Sequence, residues 1–315
     1  MSSEERILIG CELSKEFRTR KRIIRALQRA SVEIRKGERV AFVGESGSGK
    51  TTLAKILAYI LKPSEGRLVF RGKNLAEMDK RELRIFRTKV QYVPQYSDLA
   101  LDPLWHIYDS IAEPLRIHGM VESRQEELER ILEIADLLNL SIDHLRRKPR
   151  DLSGGELQRA VIARAIILKP EVLIADEPTS MLDPVTQSRI IWAIMNAREK
   201  IGFSTILITH ELSIAKAISE RLYVMFGGRI VEFGFTEDIF TEPLHPYTSS
   251  LIERDVYLLM NEEKIAEGGV FESPGCEFRF RCRFAEEKCK TPPPEIRMGK
   301  KRTVRCWLYG EPDRV

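Results

Sequence analysis

Gly44-Glu45-Ser46-Gly47-Ser48-Gly49-Lys50-Thr51 is the segment that most restricts what this chain can become. An apolar run, Arg39-Val40-Ala41-Phe42-Val43, precedes it, and Leu53, Ile56, Leu57 and Ile60 follow at helical spacing. Apolar run, glycine-rich turn and amphipathic helix make the opening of a βαβ unit. The turn fits G-x-x-x-x-G-K-[ST], in which successive backbone N–H groups curl inward to hold phosphate oxygens. The helix behind it adds the positive end of its dipole. In this pattern Lys50 bridges the β- and γ-phosphates of a nucleoside triphosphate, and the Thr51 hydroxyl ligates Mg²⁺. The bland alternative is an accidental turn, which average residue frequencies produce in on the order of one chain in a hundred of this length. The strand and helix patterns on either side favour the phosphate-binding reading.

Two more short apolar runs, Val172-Leu173-Ile174-Ala175 and Thr205-Ile206-Leu207-Ile208, read as buried strands flanked by helices. Such alternation argues for an α/β fold with a mostly parallel sheet covered by helices. A helix-rich stretch at about residues 100–165 lies between the Arg39–Val43 strand and Val172–Ala175, and Leu128, Ile131, Leu132, Ala135 and Leu138 share one helical face there. It reads as an inserted helical subdomain. Tyr223–Phe226, Gly227-Gly228 and Arg229–Glu232 read as a β-hairpin, since a Gly-Gly pair supplies the positive φ angles of its turn. Beyond about residue 236 Pro, Gly and Cys become frequent, and a small loop-rich domain is expected at 236–315 after a larger one at 1–235.

The 315 residues suffice for such a pair. Lys and Arg number 51 against 47 Asp and Glu, a net charge of +4 that gives no support to a wholly electrostatic nucleic-acid binder. No apolar run approaches the roughly 20 residues that cross a bilayer, and MSSEERILIG lacks a basic-then-apolar signal pattern. A cytoplasmic protein is expected, with any membrane role passing through a partner chain.

Two further segments carry chemistry. Val172–Ala175 ends in Asp176-Glu177-Pro178. Asp176 at a strand tip suits Mg²⁺, directly or through water, and Glu177 reaches the attacking water; alone, a strand ending in acids is as often structural. Leu152-Ser153-Gly154-Gly155-Glu156-Leu157-Gln158-Arg159 opens a helical run. Taken alone it is an N-cap. A Ser-Gly-Gly helix start is also a second anion site, facing outward.

Taken in chain order, phosphate loop, Ser-Gly-Gly helix and Asp-Glu strand resemble the ATPase subunit of ABC transporters. The resemblance covers about residues 7–235. It takes in the phosphate loop from Gly44 to Thr52, and four further elements. Gln95 in Val90-Gln91-Tyr92-Val93-Pro94-Gln95 matches the Q-loop; Ser180-Met181-Leu182-Asp183 matches the D-loop, with Met where Ala is usual. His210 in Ile208-Thr209-His210-Glu211 matches the switch histidine, and Phe17 in Leu13-Ser14-Lys15-Glu16-Phe17 the aromatic that stacks on adenine. Singly, each of these residues has an ordinary structural reading; their joint order raises them. Glu156 departs from the glutamine typical of the signature.

The resemblance implies a P-loop, RecA-like core with an N-terminal antiparallel β-subdomain. It also implies a head-to-tail pairing with a second ATPase, as a heterodimer or a homodimer. Each ATP then lies between the phosphate loop of one subunit and Ser153-Gly154-Gly155 of the other, with Asp183 positioning the interface. Catalysis falls to Glu177, His210 and Gln95, and Mg²⁺ to Thr51, Gln95 and Asp176.

Pro243-Leu244-His245-Pro246-Tyr247-Thr248 and the spacing Cys276-x5-Cys282-x6-Cys289-x16-Cys306 narrow the likeness to oligopeptide/dipeptide importers. In that subfamily the four cysteines are implied to hold a [4Fe–4S] cluster, as thiolates can. Zinc is the rival, though structural zinc usually shows C-x₂₋₄-C pairs; disulfides or free thiols stay open. Arg283 and Arg302 stand where the subfamily often has Pro and His. The Leu-Ser-Gly-Gly signature and Ser97–Pro103 look more like the second ATPase of the pair. The implied partners are two transmembrane permease subunits and, indirectly, an extracellular solute-binding protein, with the chain peripheral on the cytoplasmic membrane face and no nucleic acid. The competing readings are a soluble cassette acting on DNA or ribosomes, and a tail that senses or binds on its own.

Overall fold

The computed structural model describes residues 5–18, 23–180, 182–253, 275–299 and 301–310. Met181 of the D-loop match and parts of the expected C-terminal domain therefore lie outside the described residues. The strands are β1 Arg6–Arg18, β2 Ile23–Arg35, β3 Arg39–Val43, β4 Glu65–Phe70, β5 Lys73–Asn74, β6 Val90–Val93, β7 Val172–Asp176, β8 Ser204–Ile208, β9 Arg221–Phe226, β10 Arg229–Phe235, β11 Ile296–Met298 and β12 Arg302–Val304. The α-helices are α1 Lys50–Leu57, α2 Lys80–Lys89, α3 Ile107–His118, α4 Arg124–Leu137, α5 Ile142–Arg146, α6 Gly154–Ile166, α7 Pro184–Ile201, α8 Leu212–Ile218, α9 Thr236–Thr241 and α10 Pro246–Glu253. Two compact units form. One comprises the described residues of Leu8–Glu33, Arg39–Ala76 and the stretch from Thr209 onward; the other centres on Glu77–Ile208 and takes in Ile34–Glu38.

The first unit holds the N-terminal antiparallel sheet, in the order β2-β1-β4-β5. Leu8 faces Phe70 and Gly10 faces Leu68 across β1 and β4. The same unit carries β3 parallel to β9, with Val40 opposite Arg221 and Val43 opposite Val224. β9 turns into β10 through Gly227 (φ 55°) and Gly228 (φ 79°), the left-handed pair that a two-residue hairpin needs. β12 then pairs antiparallel with β10, Glu232 opposite Val304, and β11 pairs with β12. These last strands have three residues each, too few for a periodicity to show.

The C-terminal segment has a small cluster of its own, Ile296, Val304 and Cys306 with Leu244, Met298 and Tyr309 against it, and also packs onto β9 and β10. Tyr247 and Phe278 are buried beside Phe226 and Val224 of β9 and Val231 of β10. The ring of Phe226 lies 4.6 Å from Tyr247 and 5.3 Å, edge-on, from Phe278. Burying each ring contributes about 1.5–3 kcal/mol.

In the second unit β6, β7 and β8 run parallel, Val90 opposite Val172 and Ala175 opposite Leu207. Every residue of β7 and β8 is buried, as parallel strands covered on both faces require. Helices α3 to α6 follow β6. Helix α4 corrects one sequence expectation: Ile131, Ile134 and Ala135 are buried, whereas Leu128 and Leu132 are 43% and 37% exposed. The inward face includes Glu127, which accepts from Tyr108 Oη at 2.9 Å and from Arg116 Nε and Nη2 at 2.7 Å each. A buried carboxylate needs such partners, and meeting them turns the two leucines outward. Ile60, read as part of the helix after the glycine turn, lies beyond the end of α1 and is exposed. Among the described residues, no helix is long and apolar enough to cross a membrane.

Candidate functional site

β3 delivers the chain into the glycine loop with every residue from Val40 to Gly44 buried. Gly44 has φ +148°, and a Cβ there would sit 2.1 Å from the Met225 carbonyl oxygen of β9. At Gly49 (φ +97°) a Cβ would lie 2.4 Å from the Ala26 carbonyl oxygen. Both positions need glycine because backbone passes too close for a side chain. Ser46 and Gly47 are exposed at the tip, Ser48 is buried, and Thr51 and Thr52 are half-buried in the first turn of α1. The Lys50 side chain curls back along the loop, donating from Nζ to Gly44 O at 2.7 Å, Glu45 O at 2.8 Å and Ser48 Oγ at 3.3 Å. Phe17 on β1 is 38% exposed, with Lys15 Nζ 5.6 Å from its ring centre. His210 is exposed. Its neighbours are anchored: Thr209 N–H donates to Phe42 O of β3 at 3.1 Å, and Glu211 N–H donates to Thr209 Oγ1 at 2.9 Å.

In the other unit, Asp176 closes β7 with no exposed surface. Tyr92 Oη of β6 donates to Asp176 Oδ2 at 2.8 Å. Burial, then the Asp176 charge, push the Tyr92 phenol well above its ordinary value, so it remains a donor. Glu177 adopts the left-handed backbone, φ +47°, uncommon outside glycine and a mark of local strain. Its N–H donates to Ile208 O at 2.9 Å, and its Oε2 accepts from Gln95 Nε2 at 3.2 Å. Two residues expected to share one chemistry are thus brought into contact.

Ser153 caps α6 in a reciprocal box: Glu156 N–H donates to Ser153 Oγ at 3.4 Å and Ser153 N–H to Glu156 Oε2 at 2.9 Å. These Ser153 bonds hold the Glu156 carboxyl below the usual range, and His144 Nε2 lies 3.3 Å from its Oε1. Ser153 and Gly154 are exposed and Gly155 is buried. A Cβ on Gly155 would meet Thr186 Cγ2 of α7 at 2.6 Å. Asp183 caps α7, accepting from Val185 N–H and Thr186 N–H at 3.1 Å each. The Thr186 hydroxyl and then the backbone N–H groups hold its carboxyl below the usual range. The Ser-Gly-Gly turn and the D-loop aspartate therefore stand side by side.

Cys276, Cys282, Cys289 and Cys306 line one cavity of about 20 Å³, with His245, Phe278 and Trp307 in its wall. All four are free thiols. Burial pushes the Cys276 thiol up to about 12 and raises Cys282 and Cys306. Thiols so placed become thiolates only against a cation. Among the described residues no three metal-ligating side chains stand at coordinating distance from one another. The donor chemistry suits a thiolate-ligated group, and the side chains as placed do not form a closed ligand set.

Residues 27–180 match the family model described as ABC transporter, and residues 231–289 match the model described as oligopeptide/dipeptide transporter, C-terminal region. A di/tripeptide transport ATP-binding protein, DppF, of Pseudomonas aeruginosa is 36% identical over 290 residues, covering 90% of each chain. The chain belongs to the ATP-binding subunits of ABC transporters. Another relative, the putative oligopeptide transport ATP-binding protein YkfD of Bacillus subtilis, is 35% identical over 92% of this chain and 91% of its own. Among solved structures, the ATP-binding cassette MJ0796, a dimer with ADP and Pi, superposes with TM-score 0.67 and 29% identity over 73% of this chain and 99% of that one. CbiO1 of Clostridium perfringens, part of the ABC transporter complex cbiONQ, gives TM-score 0.66 at 27% identity over 84% and 98%. The chain is thus an ATPase of the ABC type with the P-loop fold its motifs imply.

In this ABC ATPase one residue that sequence reasoning does not reach is Tyr92. Its segment carries the Gln95 match, and only the register that sets Tyr92 opposite Ile174 brings it to Asp176. Tyr92→Phe removes one donor from a buried carboxylate, a cost of about 1–3 kcal/mol. The midpoint of urea unfolding is expected to fall accordingly. An unchanged midpoint would show that the bond carries no net stability. Arg302, which departs from the subfamily pattern, donates to the fully buried Glu232 at 2.6 Å and so fixes β12 to β10.

Proposed function

We propose that this ABC ATPase powers import of oligopeptides or dipeptides, as one subunit of a head-to-tail ATPase pair bound to two permease subunits at the cytoplasmic membrane face. The observation that carries the reading is the combination, in one chain, of the cassette with the 231–289 match. Relatives covering about nine-tenths of the chain are named for peptide transport, which leaves the alternative of a cassette acting on DNA or ribosomes without support. Reconstituted with its permeases, the chain should hydrolyse ATP faster when a peptide-loaded binding protein is added. Stimulation by nickel- or oligosaccharide-loaded binding protein, and none by peptide, would reassign the cargo within the subfamily.

In the proposed cycle the N–H groups from Gly44 to Thr52 and the Lys50 ammonium hold the β- and γ-phosphates, with Phe17 under the adenine. Thr51, Asp176 and Gln95 hold Mg²⁺, which offsets charge on the phosphates. Glu177 polarises the attacking water, and its contact with Gln95 supports that role. His210 contacts the γ-phosphate. Ser153 and Gly155 donate to the nucleotide bound by the partner, and Asp183, beside that turn, orders the interface. A polyphosphate carrying about four negative charges then joins two positive helix ends, and its cleavage releases them.

Cys276, Cys282, Cys289 and Cys306 are the proposed ligands of a [4Fe–4S] cluster, with Zn²⁺ as the alternative. Either would supply the positive charge that buried thiolates require. The role is structural, since ATP hydrolysis transfers no electron. Anaerobically purified protein should be brown and hold about four irons per chain. A colourless, active preparation containing one zinc would decide for zinc.

A further inference from the structure

The cysteine-bearing C-terminal segment reaches the phosphate loop from two sides. On one side Arg281 grips Glu45 with both terminal nitrogens, Nη1 to Oε2 and Nη2 to Oε1 at 2.8 Å each. The Arg281 side chain is only 6% exposed and lies against the rings of Phe226 and Phe278, each centre 5.7 Å from its guanidinium carbon. The backbone N–H of Glu45 donates to Tyr247 Oη at 2.9 Å. On the other side Glu277 accepts from Arg229 Nε at 2.5 Å, Arg229 donates to Gln28 Oε1 at 2.9 Å, and the adjoining Gly228 N–H donates to Ser48 O at 3.1 Å. Glu45 and Ser48 belong to the loop; Glu277 and Arg281 adjoin Cys276 and Cys282 in sequence.

A carboxylate inside a loop that binds a triphosphate is an electrostatic liability, because like charges repel more strongly outside bulk water. The bidentate guanidinium neutralises Glu45 and fixes its direction, as planar two-point pairing does. Tyr247 fixes the orientation of the same residue's peptide unit. Loop N–H groups held in place before the ligand arrives cost less to order on binding.

We propose that Arg281 and Tyr247 are positioning residues for the nucleotide site: the C-terminal segment, through Glu45, sets how tightly the phosphate loop holds ATP. The proposal rests on the nucleotide-binding reading above. The test uses the full chain, with fluorescent-ATP titration and separate kcat and KM. Arg281→Gln is expected to weaken ATP binding and raise KM by about 10-fold, the loss of a charge-assisted pair, with kcat within about 2-fold. Adding Glu45→Gln to Arg281→Gln should recover most of that affinity, because the repelling carboxylate is gone; damage to the fold alone would not be rescued. Tyr247→Phe keeps the ring packing and should weaken binding by about 3- to 10-fold. Wild-type affinity in folded Arg281→Gln, or a double variant no better than Arg281→Gln, would overturn the proposal. Where Arg281→Gln fails to fold, unchanged affinity in Tyr247→Phe overturns it. A wild-type chain that binds ATP no better than Lys50→Ala would instead overturn the nucleotide reading itself.

Discussion

Glu177→Gln is expected to lower ATP turnover by about 10²- to 10⁴-fold, the usual contribution of a positioned general base, while ATP still binds. The substitution is nearly isosteric. The left-handed backbone of Glu177 and its N–H bond to Ile208 depend on the main chain, so both survive. The amide oxygen of a glutamine can still accept from Gln95 Nε2. The negative charge proposed to polarise water is lost, and in that role it matters in the transition state rather than in binding. The paired form should therefore persist with ATP and accumulate. Single-turnover hydrolysis measured beside size-exclusion chromatography in ATP checks both halves. Turnover near the wild-type rate would remove Glu177 from its role.

Lys50→Ala is expected to reduce MgATP affinity by about 100-fold. Two losses combine. The ammonium that would meet the β- and γ-phosphates disappears, and charge-assisted hydrogen bonds contribute about 1.5–3 kcal/mol each. The loop also loses its internal tie: Nζ links the carbonyls of Gly44 and Glu45 to the Ser48 hydroxyl. Lys50 is 5% exposed, so its removal leaves a gap that water fills imperfectly. Isothermal titration with MgATP reads the effect, and circular dichroism confirms that the chain is folded. Affinity within about threefold of wild type would be incompatible with the phosphate-loop assignment, since a factor of three is worth under 1 kcal/mol.

The nucleotide-binding half of the molecule was legible because its signals are local. Arg39–Val43, the glycine loop and the start of α1 occupy consecutive residues, and each needs its residue types for a backbone reason that can be read without knowing the fold. The Gly227-Gly228 hairpin is the same kind of case. What escaped depends on partners distant in sequence. Tyr92 reaches Asp176 across 84 positions, and Arg281 reaches Glu45 across 236. Tyr247 was visible as part of a Pro-Tyr-Thr motif, yet nothing local indicates that its hydroxyl meets a loop amide 202 positions away. The leucines of α4 misled for a related reason: hydrophobic spacing alone cannot weigh a buried Glu127 held by Arg116 and Tyr108.

β12 lies along the free flank of β10, with Glu232 opposite Val304 and Phe233 opposite Thr303. A nick that released everything past residue 235 would bare that flank, leaving a row of amides and carbonyls open to any extended peptide. Another molecule nicked in the same way is the nearest supplier of such a peptide. The tail thus shields a sticky seam, and shortened forms of this protein should clump even where their glycine loop is intact.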